Sequence, residues 1–143
     1  MNEPKPLKKQ KRTTTPDEAK KFAILAATSS LNKKALDVKI MALKGVTDFA
    51  DYFVVCTAES DTQVKAIADA VEVGLEQNGW RAWHVEGTQN MKWVLLDYVD
   101  VVVHVFHKDA REFYGLDRLW GDAPFETVTD TPAGLVFTPS SAE

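Results

Sequence analysis

With only one cysteine, Cys56, this 143-residue chain cannot form an internal disulfide, so side-chain burial has to hold the fold together. Its glycines stand at 45, 74, 79, 87, 115, 121 and 134, and no two are separated by a single residue. The Gly-x-Gly spacing that lets backbone amides converge on a phosphate is therefore missing, which removes the dinucleotide fingerprint and the mononucleotide phosphate loop. No apolar run reaches the roughly 18 residues needed to cross a bilayer. The N-terminus also lacks the block pattern of a secretory signal. A soluble, cytoplasmic chain with no membrane contact is expected.

Charge is sparse in one place and concentrated in another. Residues 1–21 hold seven of the 17 Lys and Arg but only three of the 21 Asp and Glu, so the head is basic and the body acidic. An acidic body is repelled by bare nucleic acid, whose binding rests on Lys and Arg at phosphates, and suits a basic protein surface instead. The head segment Lys8-Lys9-Gln10-Lys11-Arg12 allows an incidental RNA contact, although a solvated tail needs no partner.

Catalytic constellations are also missing. Two carboxylates reach one metal ion from a strand when they stand two residues apart. Asp97 and Asp100 are three apart across a turn, as are Asp48 and Asp51, while Glu59 and Asp61 flank a helix cap. Their expected roles are in turns and caps, where Asp bonds nearby amides. His84, His104, His107 and Cys56 show no compact zinc spacing, and Ser29 and Ser30 have no ordered histidine and acid partner. Neither a cofactor nor a metal is expected.

What is present reads as one α/β domain. Residues 1–14 are expected to form a flexible basic extension. Thr15-Pro16-Asp17-Glu18 then opens a helix running to about Leu31. Val38–Leu43 and Tyr52–Thr57 read as strands. Ser60 and Gln63 make a second capping box ahead of a stripe of Val64, Ile67, Ala68, Val71 and Leu75, and Asn78-Gly79 ends that helix. Gly74 inside it implies close backbone approach.

Arg81–Val85 reads as the next strand, parallel to the second and with Trp83 in the core; Trp80 lies out of phase with it. Residues 91–97 and 100–106 are too close in sequence for a crossover and must form an antiparallel hairpin. A short helix begins at Asp109. Residues 122–143, with Pro124, Pro132 and Pro139, read as an irregular tail after a domain spanning 15–121. The expected architecture is a mixed five-stranded sheet with packed helices.

The densest signal is the run from Val94 to His107, followed by Tyr114, Leu116 and Trp120. Met91, Trp93 and Leu95 share one strand face and Lys92, Val94 and Leu96 the other, so both faces are largely apolar. One can lie under helices. The other needs a helix, a second copy of the chain or a partner to cover it. A contact surface fits this pattern better than a catalytic cleft.

These residues carry a resemblance to the ribosomal silencing factor family, also called Iojap-like. The matching segments are Ala35-Leu36-Asp37-Val38, Asp51-Tyr52-Phe53-Val54-Val55-Cys56, Val64-Lys65-Ala66-Ile67-Ala68 and Val85-Glu86-Gly87. They continue through Trp93-Val94-Leu95-Leu96-Asp97-Tyr98 and Asp100-Val101-Val102-Val103-His104-Val105-Phe106 to Arg111-Glu112-Phe113-Tyr114-Gly115-Leu116-Asp117-Arg118-Leu119-Trp120. Their order and spacing over residues 18–121 make the resemblance specific.

The resemblance implies a fold similar to nucleotidyltransferases without their catalytic carboxylates. It also implies binding to the large ribosomal subunit through protein uL14, a block on small-subunit joining under nutrient limitation, and homodimers of some members when free. By the same likeness Trp93, Asp97, Tyr98, Asp100, His104, Arg111, Tyr114 and Trp120 are the candidate partner-binding residues. Val99 departs from the family, which usually has glycine there, and the turn is expected to avoid positive φ. The opposing readings are a nucleotide-handling enzyme using Asp97 and Asp100, and a dimeric adaptor for another protein.

Overall fold

The computed structural model of the protein describes residues 16–48, 50–114 and 123–140. In chain order the elements are α1 (Pro16–Asn32), β1 (Leu36–Ala42), β2 (Tyr52–Ala58), α2 (Asp61–Gln77), β3 (His84–Glu86), β4 (Trp93–Asp97), β5 (Val101–His107), α3 (Lys108–Tyr114), β6 (Phe125–Thr131) and β7 (Gly134–Pro139). The strands form a single mixed sheet in the order β3-β4-β5-β2-β1-β6-β7. β2 and β5 pair in parallel and the other neighbours antiparallel.

The α/β class with a mixed sheet and packed helices is as expected, but the sheet has seven strands rather than five. The two additional strands come from residues read as an irregular tail. β6 pairs with β1, and β7 closes a hairpin on β6. Each proline sits where a strand tolerates it. Pro124 precedes β6, Pro132 lies in the hairpin turn, and Pro139 ends β7 on the sheet edge, where a missing N–H breaks no inner ladder.

Helix α1 lays Ala19, Phe22, Ala23, Ala26, Ala27 and Ser30 against the sheet, a stripe at spacings of three and four. Its buried hydroxyl is satisfied locally: Ser30 Oγ donates to the Ala26 carbonyl at 2.8 Å. Gln63 ties the two long helices together. Its backbone N–H donates to Ser60 Oγ at 3.1 Å, its Oε1 accepts from the Glu59 N–H at 2.7 Å, and its Nε2 donates to the Lys33 and Lys34 carbonyls, each at 3.0 Å. One side chain thus caps the start of α2 and the chain leaving α1. Close approach explains Gly74, since a Cβ there would lie 2.6 Å from Ser29 Oγ.

The sheet separates two apolar layers. Beneath α1 and α2 lie Val38, Ile40, Val54, Cys56, Val94, Leu96, Val101, Val103 and Val105. The opposite face carries Met41, Phe53, Val55, Val102 and Phe106, joined by Ala110 of α3. Fully burying a side chain of the size of Phe106 or Leu96 contributes roughly 1.5–3 kcal/mol, so both layers add substantially to stability.

One local expectation is corrected. Trp83 is 46% exposed rather than core, because β3 begins only at His84 and lasts three residues at the sheet edge. β3 runs parallel to β2, as expected, with β4 and β5 between them in the sheet.

Candidate functional site

The β4–β5 hairpin carries five of the eight candidate residues. Alternation along β4 sends Val94 and Leu96 under the helices and leaves Trp93 and Leu95 half-buried on the opposite face. On β5, His104 projects to the same face as Trp93. The indole Nε1 donates to His104 Nδ1 at 3.1 Å. Phe53 meets the imidazole edge-on at 4.5 Å, and Trp93 lies 4.9 Å from the Phe106 ring. The result is an aromatic patch whose buried floor is His104, Phe53 and Phe106 and whose half-open part is Trp93.

His104 is 3% exposed, and Nε2 has no hydrogen-bond partner. Since Nδ1 accepts from the indole, the proton of the neutral ring belongs on Nε2. Burial pushes the His104 pKa down to about 3, so the ring is neutral at physiological pH. Among the described residues no group of three or more His, Cys, Asp or Glu side chains is placed to hold a metal. Cys56 is fully buried, and burial raises its thiol pKa to about 12, away from nucleophilic use.

The turn joining β4 to β5 is tight. Val99 has φ of 75°, and the Asp100 N–H donates to the Tyr98 carbonyl at 2.9 Å, closing a three-residue turn around it. The expectation that this turn avoids positive φ is therefore overturned. Neighbouring contacts hold it in place. Asp97 Oδ1 accepts the Val99 N–H at 2.8 Å, and the Asp100 carbonyl accepts from the Asp51 and Tyr52 N–H groups at 2.8 and 3.2 Å.

Asp97 is half-buried at the strand end and braces the turn, while Asp100 is buried. Tyr98 turns to the other side of the sheet, where its ring packs on Phe22 at 5.0 Å.

Arg111 lies apart from the hairpin. It is buried on α3, where Nη1 donates to Thr57 Oγ1 at 2.6 Å and to the Asp37 carbonyl at 3.1 Å, and Nη2 stands 3.2 Å from Asp37 Oδ2. Asp37 has φ of 51° within the irregular register between Leu36 and Lys39. Arg111 therefore holds a kink of β1 against β2. Nothing in the spacing of residues 37, 57 and 111 announces this clamp, which only the sheet order brings together. The side chain of Tyr114, at the end of α3, and the whole of Trp120 lie outside the described residues.

A separate groove of about 770 Å3 runs between α1 and α2, lined in part by Leu25, Ala70, Val73 and Gly74. It contains none of the eight candidates. No helix among the described residues is long and apolar enough to cross a membrane.

A mixed sheet with two long helices over one face and an aromatic patch on the other defines the chain as an α/β protein. Comparison with known proteins makes the class specific: residues 16–141 match the family described as "Ribosomal silencing factor during starvation". The chain belongs to the ribosomal silencing factor (RsfS) family.

A relative named ribosomal silencing factor RsfS, from Bacillus subtilis (strain 168), is 45% identical over 100 residues, covering 70% of this chain and 85% of the relative. The chloroplastic protein Iojap of Zea mays is 33% identical over 116 residues, covering 80% of this chain and 50% of that protein. A crystal structure of a Chromobacterium violaceum protein superposes with a TM-score of 0.71 at 34% identity, covering 73% of this chain and 87% of that one.

Proposed function

We propose that this protein silences translation by binding the large ribosomal subunit at protein uL14 and obstructing the small subunit, lowering translation when nutrients are scarce. Membership of the ribosomal silencing factor family supports a role at the ribosome. The observation that carries the mode of action is the sheet face away from α1 and α2, where Trp93, Leu95 and Phe125 remain only partly buried around an aromatic floor. Half-open aromatics over a rigid floor are suited to be buried anchors in a protein interface. The acidic body complements a basic ribosomal protein.

On this reading the protein is an obstacle and not an enzyme. Trp93 and Asp97 are the partly exposed members of the candidate set nearest the partner. Tyr98, Asp100, His104 and Arg111 are buried and support the sheet that carries the surface, and Tyr114 and Trp120, whose side chains lie outside the described residues, are proposed as further contacts. A homodimer of the free protein covers the same face, the basic extension makes incidental rRNA contacts, and the site of action is the cytoplasm.

The test uses purified ribosomal subunits. Large subunits saturated with the protein should sediment with it and form fewer joined particles when small subunits are added. Normal joining at saturation would overturn the reading, and absence of co-sedimentation with subunits that contain uL14 would favour an adaptor for another protein.

A further inference from the structure

A cavity of about 240 Å3 opens where the chain leaves α2, lined by Glu72 and Glu76 of the helix, Trp80 and Ala82 of the connection, Val85 of β3, and Tyr98. It lies on the helix side of the sheet, away from the Trp93 patch. Phe22 meets Trp80 edge-on at 4.8 Å and Tyr98 edge-on at 5.0 Å, so one core side chain fixes both aromatic walls. The cavity combines apolar sides, two carboxylates one helical turn apart, and a phenol.

Tyr98 is 5% exposed, and its hydroxyl is sealed from solvent with no hydrogen-bond partner. Buried hydroxyls nearly always find one, so an unmet hydroxyl in a cavity wall points to a missing partner. The carboxylates narrow the identity of that partner. Burial raises the Glu72 pKa, and Asp69 and Glu76 raise it further while Lys65 lowers it, so a positive charge placed in the cavity would relieve the remaining like-charge crowding. At the exposed rim the chain supplies a cation of its own: Arg81 Nη2 lies 3.3 Å from Glu76 Oε2.

We infer that this pocket binds an alkylguanidinium or alkylammonium group, with its head near Glu72 and Glu76, Tyr98 Oη as acceptor, and its stem against Trp80 and Val85. A neutral polar group would satisfy the phenol but leave the carboxylates crowded. A bare metal ion would make no use of the apolar walls. Binding shifts Glu72 towards its ionised form, so affinity rises as pH increases through the range in which Glu72 titrates.

The pocket stands on its own geometry; only the source of the cation rests on the ribosome reading. In the full-length chain, titration with N-propylguanidinium should shift the Trp80 indole N–H resonance saturably. The neutral isostere N-propylurea should bind at least tenfold more weakly, as should the guanidinium to Glu72→Gln, with other resonances of the variant unchanged. Tyr98→Phe, which keeps the ring, should also weaken binding. No saturable shift, an equal response to the urea, or undiminished binding to Glu72→Gln would overturn the inference.

Co-sedimentation of Glu72→Gln with large subunits then identifies the source. Reduced retention assigns the cation to a side chain on the subunit, and unchanged retention assigns it to a free organic cation. If the wild-type chain itself fails to co-sediment, the ribosome reading fails while the propylguanidinium result still decides the pocket.

Discussion

Trp93 donates its indole N–H to the one imidazole nitrogen of His104 that has no proton, at 3.1 Å, and this bond requires His104 to stay neutral. The folded pKa is depressed to about 3 by burial, against roughly 6.5 in the unfolded chain. The unfolded state therefore binds the extra proton between those values, and stability is full above pH 6.5 and falls as pH drops towards 3. Between pH 7 and pH 5 this one group should remove about 2 kcal/mol. Urea unfolding at both pH values, compared with His104→Gln, measures it: the variant's loss should be smaller by about that amount, and parallel losses would show that His104 does not carry the dependence.

Val99 stores strain. A β-branched residue at φ of 75° costs about 1–3 kcal/mol, held here by the Asp97 side chain and the Asp100 backbone. Glycine removes the strain but adds freedom to the unfolded chain, a loss of roughly 0.5–1 kcal/mol. Val99→Gly should raise the urea midpoint by an amount equivalent to about 1 kcal/mol. A lowered midpoint would mean that packing of the half-buried valine outweighs backbone strain.

How far the fold was legible depends on whether a local pattern met a local cause. Ser60 and Gln63 announced the start of α2 because a capping box works within four residues. The short gap between β4 and β5 required a hairpin because no crossover fits. The β6–β7 hairpin was hidden because β6 is polar and threonine-rich, and the prolines around it look like breakers until their edge positions are known. Trp83 misled because an aromatic in a strand-like run reads as core, and only the sheet order shows that run to be an edge. Of the candidate site, the shared face of Trp93 and Leu95 followed from alternation, whereas the meeting of Trp93 with His104 needed the β4–β5 register, and the Arg111 clamp and the Tyr98 pocket join residues far apart in sequence.

Gly74 should tolerate alanine poorly, because the new Cβ would lie 2.6 Å from Ser29 Oγ on the facing helix. Overpacking at such a contact costs about 1–3 kcal/mol, against a gain of up to roughly 1 kcal/mol in helix propensity. Ser29→Ala removes the clashing oxygen. In a double-mutant cycle Gly74→Ala should be destabilising alone and neutral or stabilising in the Ser29→Ala background. Additive effects would place the strain elsewhere.

Arg111 offers the sharpest separation of a structural role from a binding role. Its guanidinium reaches Thr57 Oγ1, the Asp37 carbonyl and the Asp37 carboxylate together, a fork that a single ammonium cannot reproduce. Arg111→Lys should therefore lower stability by about 2 kcal/mol, less than the loss of a fully buried pair because Asp37 is half open to solvent. The damage should be local, with amide exchange accelerating at residues 36–39, where the register of β1 is irregular, before it does so at β4 and β5. Large-subunit binding measured well below the variant's unfolding midpoint distinguishes the roles. Retained affinity with lost stability makes Arg111 a brace for the surface, whereas lost affinity with unchanged stability would make it part of the contact itself.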